Sequence, residues 1–314
     1  MTTCGFLCKA FCVNINIVPD SEYTGFMGML PAKIRAFALL ARFDRPIGWW
    51  LLFWPCVFGL ALSGGLLREW QLALWMLAGA IAMRGAGCVY NDIVDRDLDA
   101  QVARTASRPL PSGAVGLTAA WGWLAALCAV GLIVLLQLRW EAQLVALGSL
   151  ALVAAYPFMK RITWWPQIWL GLVFSWGAPV GWFSITGTAD TAMWWLYAGS
   201  ICWVIGYDTI YAMQDREDDT LVGIKSSALR LGGHVKVGVA SFYLLALTGW
   251  GMAIWSVRPE KQALVALAPV AIHFAMQLIS LKADGSNALG HFRSNRMAGL
   301  LAALAFLVVG AAGQ

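Results

Sequence analysis

Apolar runs of about 20 residues, the length that crosses a hydrocarbon core as a helix, recur along almost the whole of this 314-residue chain. Nine are read, at about 47–67, 70–90, 117–138, 142–158, 165–187, 192–212, 236–256, 262–281 and 297–313. Each is apolar all round rather than along one stripe, which excludes the surface helix of a soluble core. In lipid a backbone must satisfy its polar groups internally, so such runs fold as helices. The expected fold class is all-α, a polytopic membrane protein with about nine transmembrane helices.

Lys and Arg set its orientation. With the N-terminus in the cytoplasm, seventeen of the 22 fall on the cytoplasmic side, and only Arg68, Arg139, Arg258 and Lys261 on the other, with Arg84 inside a span. The net charge of +5 is then membrane topology and gives no support to a nucleic-acid partner. Seven cysteines show no metal-ligand spacing. Cys56, Cys88, Cys128 and Cys202 read as small hydrophobes within spans, and Cys4, Cys8 and Cys12 stand four apart in a tail facing a reducing cytoplasm. Residues 1–29 are expected to be a poorly ordered tail or a mis-assigned start, with Met27 or Met29 as the true one. Residues 30–314 are expected to form a single transmembrane domain. The tail lacks an Arg-rich transit pattern, so a bacterial inner membrane is expected rather than a mitochondrial one.

Only 12% of residues are charged, yet eight of the 17 acids fall in two clusters: Asp92, Asp95, Asp97 and Asp99, then Asp215, Glu217, Asp218 and Asp219. Both clusters stand at the cytoplasmic end of an apolar helix. Asn91, Asp95 and Asp99 share one helix face, as do Asp215 and Asp219, because residues four apart stack. Asp97 points elsewhere, toward solvent. Charges at a helix end often mark only the membrane boundary. Like charges four apart repel, however, and a hard divalent cation such as Mg²⁺, held by carboxylates plus phosphate oxygens, removes that cost. Because the pattern occurs twice, with basic residues after each copy ("ARTASRPLPSG" and "GIKSSALRLGG"), a metal–diphosphate site is the favoured reading. Arg104, Arg108 and Lys225 would supply counter-charge from loops that cap it.

Other polar positions point to the same place. Arg84 lies two turns below Asn91, and an arginine within a span marks a functional cavity by default. Asp208, Tyr211 and Asp215 are spaced three and four apart, which puts Asp208 one level deeper. Tyr156, Lys160 and Arg161 end the fourth span, the last two serving either as site residues or as membrane anchors. Asp44 and Arg45, before the first span, form either a surface pair or part of the pocket.

"NDIVDRDLD" followed by "RTASRPLPSG", with "YAMQDREDD" and "GIKSSA" later, resembles the UbiA superfamily of membrane prenyltransferases. Asn91, Asp92, Asp95 and Asp99 match every position of N-D-x-x-D-x-x-x-D, and Tyr211, Asp215 and Asp219 match the second signature. The likeness covers about 30–314. "RPIGWWLLFWP", "YPFMKR" and "YDTIYAMQDREDD" are similar to the 4-hydroxybenzoate polyprenyltransferase branch. Asp97 departs from the basic or neutral residue common there, off the metal face.

The resemblance implies nine helices around a central cavity, a side opening to lipid for the prenyl tail, and Mg²⁺-dependent transfer of a polyprenyl group from polyprenyl diphosphate to 4-hydroxybenzoate, in ubiquinone synthesis. Asn91, Asp92, Asp95, Asp99, Asp215 and Asp219 would hold Mg²⁺, with Asp95, Asp215 and Asp208 carrying catalysis. Arg104, Arg108, Lys160, Arg161 and Lys225 would bind diphosphate. Arg45 or Arg84, with Tyr156, Asp208 and Tyr211, would bind the aromatic acceptor. Homogentisate, dihydroxynaphthoate or haem B are alternative acceptors. An ion transporter is the rival of another class, but the acids gather at one membrane face and no charged chain crosses to the other. Membrane lipids are the expected surroundings; prenyl chain length and oligomeric state have no signature in the sequence.

Overall fold

The structure, a computed structural model, describes residues 27–100, 105–214, 216, 220 and 225–311, with Leu98, Lys160 and Arg161 described by backbone alone. The expectations for the N-terminal tail therefore fall, up to residue 26, outside the described residues. Among the described residues there are α-helices and short 3-10 turns but no strand. In chain order the helices are α1 (Ala32–Leu40), α2 (Ile47–Leu62), α3 (Trp70–Val94), α4 (Arg96–Asp99), α5 (Leu117–Leu135), α6 (Trp140–Ile162) and α7 (Pro166–Ser175). They continue with α8 (Gly177–Thr186), α9 (Thr191–Ala212), α10 (Ser227–Leu231), α11 (Val235–Val257), α12 (Lys261–Leu264), α13 (Ala268–Ser280) and α14 (Ala288–Ala311).

Seven helical stretches among the described residues are long and apolar enough to cross a membrane. The two other expected spans are also helical. α2 is apolar but has only 16 residues; α9 has 22, and its Trp and Tyr side chains and Asp208 make it less apolar. Local chemistry sets the ends. Asp190 caps α9, its carboxylate accepting from the Ala192 N–H at 2.8 Å. Pro166 opens α7, where a missing N–H costs nothing. α2 ends at Leu62 rather than at 67, just before Gly64 turns the chain with φ 80°.

Two expected spans differ in informative ways. The run at 165–187 is two helices, α7 and α8, broken at Trp176. The last span starts at Ala288 rather than 297, so that Arg293, Ser294, Asn295 and Arg296 lie inside the helix. Hydropathy stops at such residues. The fold admits them because Asn295 is buried and accepts from the Trp203 indole N–H at 2.9 Å, and because Arg293 and Arg296 line a cavity.

Small residues let α2 sit at the centre. A Cβ added at Gly59 would strike the Ala178 carbonyl oxygen of α8 and stand 2.5 Å from the Trp182 nitrogen. One added at Gly181 of α8 would strike the Cys56 carbonyl oxygen. In a membrane, close backbone approach of this kind drives helix association, because lipid offers no hydrophobic gradient. α9 meets α11 in the same way, with a Cβ added at Gly249 coming 2.7 Å from the Gly199 Cα. Around these contacts Phe58, Trp203, Trp250 and Phe306 form one ring cluster, with centroids 5.2 Å apart for Phe58–Phe306 and 5.8 Å for Trp203–Trp250. Trp203 also packs edge-on against Tyr207 at 5.2 Å, one turn further along α9.

α5 and α6 are peripheral. α5 packs chiefly on α3, and α6 on α7 and α8, although only residues 136–139 join the two.

Gly59→Val should therefore separate α2 from α8 and sharply lower the yield of monodisperse protein in detergent. Gly122→Ala, on α5 where an added Cβ meets nothing, should be neutral or gain about 0.5–1 kcal/mol. Size-exclusion profiles and thermal unfolding of the two variants check this.

Candidate active site

A cavity of about 2030 Å³ lies at the end of the bundle where α3 finishes, the central cavity expected above. Its polar wall begins on α3. Asn91 and Asp92 line it, and the helical register continues past the end of α3, with the Asp95 N–H donating to Asn91 O at 2.9 Å and the Asp99 N–H to Asp95 O at 2.8 Å. Asp92 and Asp95 are each 1% exposed, and Asp99 8%. Asp97, as its position on the helix implied, is exposed and pairs with Arg96 at 2.9 Å.

Two arginines compensate these carboxylates. Arg42 places one guanidinium nitrogen 3.0 Å from both oxygens of Asp92. Arg108 donates to Asp99 Oδ2 at 2.6 Å and to Asp92 Oδ1 at 3.3 Å. The loop that carries Arg108 is folded. The Thr105 hydroxyl donates to Asp99 O at 2.8 Å, the Val115 N–H to Pro109 O at 2.9 Å, and Gly113 turns with φ 78°. Leu110 and Val115 pack into a small core with Leu40, Ala41 and Val89, which anchors the loop to α1 and α3.

Deeper, the cavity is lined by Arg84, Tyr156, Tyr207, Asp208 and Tyr211. Arg84 donates to the Cys88 sulfur at 2.7 Å, and its guanidinium carbon lies 5.6 Å from the Phe174 ring centre. Its Nε, like the Tyr207 hydroxyl, is buried with no hydrogen-bond partner. Burying such groups unpaired is costly, so both mark where a polar ligand belongs. Gly48 makes room for Arg84: a Cβ there would stand 2.7 Å from that Nε. Tyr211 packs on Phe292 of α14 with ring centres 4.7 Å apart. Elsewhere the wall is apolar, with Leu132 of α5 and Leu147 and Leu150 of α6 in its lining, residues that are themselves 47–54% exposed.

The expected site residues divide into three groups. Asn91, Asp92, Arg108, Arg84, Tyr156, Asp208 and Tyr211 come together on the cavity wall, with Asp95 and Asp99 buried beside them. Arg104, Asp215 and Asp219, and the side chains of Lys160 and Arg161, lie outside the described residues. Lys225 and Arg45 stand apart. Lys225 does not line the cavity; its ammonium donates to Ile162 O at 3.3 Å and lies 5.8 Å from the Trp164 ring centre. Arg45 borders the cavity mouth with a side chain 68% exposed, paired to Asp44 at 3.4 Å, so both readings of that pair hold at once.

Arg42 and Tyr207 were not singled out from the sequence. Arg42 is separated from Asp92 by 50 residues, so no local spacing reveals the pair. Tyr207 adjoins Asp208, a signal that was available. The donor types suit Mg²⁺, since carboxylates and an amide offer hard oxygen ligands, but among the described residues no three acids converge closely enough to hold a metal by themselves.

Arg108→Gln should lower thermal stability by about 3 kcal/mol, the cost of leaving a buried carboxylate pair without its partner. Added Mg²⁺ should recover more of that loss than it adds to the wild type. Thermal unfolding in detergent, with and without the cation, measures both.

Residues 52–298 match the UbiA prenyltransferase family. Over 293 residues the chain is 41% identical to the mitochondrial 4-hydroxybenzoate polyprenyltransferase of Drosophila pseudoobscura pseudoobscura, a match spanning 92% of this chain and 74% of that one. The fold is similar to that of a UbiA homologue from Aeropyrum pernix K1, at 26% identity and a TM-score of 0.59 over 84% of this chain and 96% of that one. It is also similar to a UbiA homologue from Archaeoglobus fulgidus bound to GPP and Mg²⁺, at 20% identity and a TM-score of 0.65 over 88% and 99%. A match across most of the chain, on the same helical fold, makes this chain a member of the UbiA prenyltransferase family.

Proposed function

We propose that this chain, with 30–314 acting as one transmembrane unit, transfers a polyprenyl group from polyprenyl diphosphate to the ring carbon ortho to the hydroxyl of 4-hydroxybenzoate, releasing diphosphate, in ubiquinone synthesis. The observation that carries this reading is the layered cavity: buried carboxylates under Arg108 at its mouth, and Arg84 with an unpartnered Nε among tyrosines below. The fruit-fly relative bears the name of this activity, and the archaeal homologue of similar fold was captured with a prenyl diphosphate and Mg²⁺.

Asn91, Asp92, Asp95 and Asp99, with Asp215 and Asp219, would hold Mg²⁺. When bound, the cation supplies charge neutralisation to the departing diphosphate. Arg108, with Arg104, Lys160 and Arg161 assigned beside it, would stabilise the same developing charge. The allylic C–O bond breaks, and the aromatic faces of Tyr156, Tyr207 and Tyr211 attract the resulting cation in a cavity that excludes water. The phenol ring attacks through the carbon beside its hydroxyl, forming the C–C bond. Asp208 orients the phenol or takes the proton that the ring then loses.

The acceptor carboxylate is assigned to Arg84 rather than Arg45, because Arg84 is buried with a free donor while Arg45 is largely in solvent. Lys225, held outside the cavity, is assigned to the rim. The apolar gap between α5 and α6 suits the prenyl tail. The term mitochondrial in the relative's name runs against the bacterial inner membrane expected above. In either membrane the carboxylate end faces the side rich in Lys and Arg, the cytoplasm in the bacterial case.

Asp95→Asn should cut prenyl transfer more than about 100-fold, beyond the loss typical of groups outside a metal's own ligands, while folded protein remains in the membrane. Full activity at ordinary Mg²⁺ would overturn the donor site. Arg84→Ala, and Gly48→Ala by displacing Arg84, should raise the KM for 4-hydroxybenzoate about tenfold to a hundredfold, the worth of a charged hydrogen bond, without changing the Mg²⁺ requirement. A panel of homogentisate, dihydroxynaphthoate and haem B with one prenyl donor tests the acceptor.

A further inference from the structure

Arg42 is the one non-glycine residue with left-handed backbone among those described, with φ 58°. It stands just past the end of α1, where the Arg42 N–H donates to Leu39 O at 3.1 Å and the Phe43 N–H to Ala38 O at 2.9 Å. That pair of bonds is the Schellman ending, whose left-handed position glycine normally fills because a Cβ is unfavourable there. An arginine in that position carries strain, and strained backbone at a polar site points to a role for the side chain.

The side chain has two partners. One guanidinium nitrogen donates to Leu39 O at 2.9 Å, which closes the residue back onto its own helix. The other lies 3.0 Å from both oxygens of Asp92. Asp92 in turn takes Arg108 at 3.3 Å, and Arg108 spans onward to Asp99 at 2.6 Å. The chain of contacts therefore runs from the end of α1, through one carboxylate, to a guanidinium above the acidic cluster. Asp92 has an oxygen bonded to each arginine, and a planar guanidinium is a good fixed donor for such a partner.

We propose that Arg42 is a positioning residue for the donor site: it fixes Asp92 so that Asp92 and Asp99 together hold Arg108 where diphosphate binds. Asp92 then anchors an arginine relay besides standing among the donor residues, and α1 is part of the site's scaffold. The inference rests on the donor-site reading above, and its test separates the two.

The full-length protein in detergent is titrated with inorganic diphosphate at saturating Mg²⁺, and thermal unfolding reports binding. Arg42→Gly is the substitution the backbone itself favours, so the end of α1 survives it. It should keep the stabilisation given by Mg²⁺ alone but weaken diphosphate binding about tenfold or more, the size of one charged hydrogen bond. Arg108→Gln, which removes the far end of the relay and none of the proposed metal donors, should weaken diphosphate binding comparably, and the double variant no further, because both changes break one relay. Wild-type diphosphate affinity in Arg42→Gly, or losses that add in the double variant, would overturn the relay. A wild-type protein that gains nothing from Mg²⁺ with diphosphate would instead overturn the donor site on which it rests.

Discussion

Three carboxylates buried at one end of a membrane-spanning helix are the constraint around which the rest is arranged. Buried like charges repel unless an opposite charge stands between them. The protein offsets that repulsion with guanidinium groups drawn from places far apart in sequence: Arg42 at the end of α1 and Arg108 in the loop before α5. Each is held by structure of its own. The Arg108 loop is nailed down by Leu110 and Val115, and α1 by Leu40 and Ala41, all in one small core. That core is separate from the main one, so the charged end of the molecule has its own apolar foundation.

The main core solves a different problem. Helices in lipid associate through close fit rather than exclusion from water, and α2, α8, α9 and α11 meet where glycine lets backbones approach. The consequence is a tight inner bundle crowned by the Phe58, Trp203, Trp250 and Phe306 rings. The outer helices α5 and α6 are not drawn into it. The cavity occupies the difference between the two regimes: charged near the loops, aromatic and arginine-bearing in the middle, apolar toward the gap between α5 and α6.

Much of this was legible beforehand. The period of four in Asn91, Asp95 and Asp99 described a helix face correctly even though α3 itself stops at Val94, because the i to i−4 bonds carry on through Asp95 and Asp99. Arg84 announced itself by being charged within a span. Hydropathy failed where polar residues serve the interior: it began the last span at Met297, whereas the helix begins nine residues earlier and buries Asn295. The single span expected over α7 and α8 stands, since together they are long and apolar enough to cross, although the break at Trp176 leaves no polar trace.

The sequence by itself determined the class of the molecule and that Asn91, Asp95 and Asp99 share one helical register, because each follows from spacing along one helix or from composition within one segment. Which cations meet those carboxylates was decided only by the tertiary structure. Arg42 looked like any membrane-side anchor, Lys225 like a phosphate ligand, and Arg45 as good a partner for the acceptor as Arg84. The packing put Arg42 on Asp92, set the Lys225 ammonium on Ile162 O and left Arg45 largely exposed. Ion pairing at a distance of 50 residues depends on how α1 and α3 dock, and that docking is a property of the shared core around Leu40 and Val89, written in no single stretch of chain.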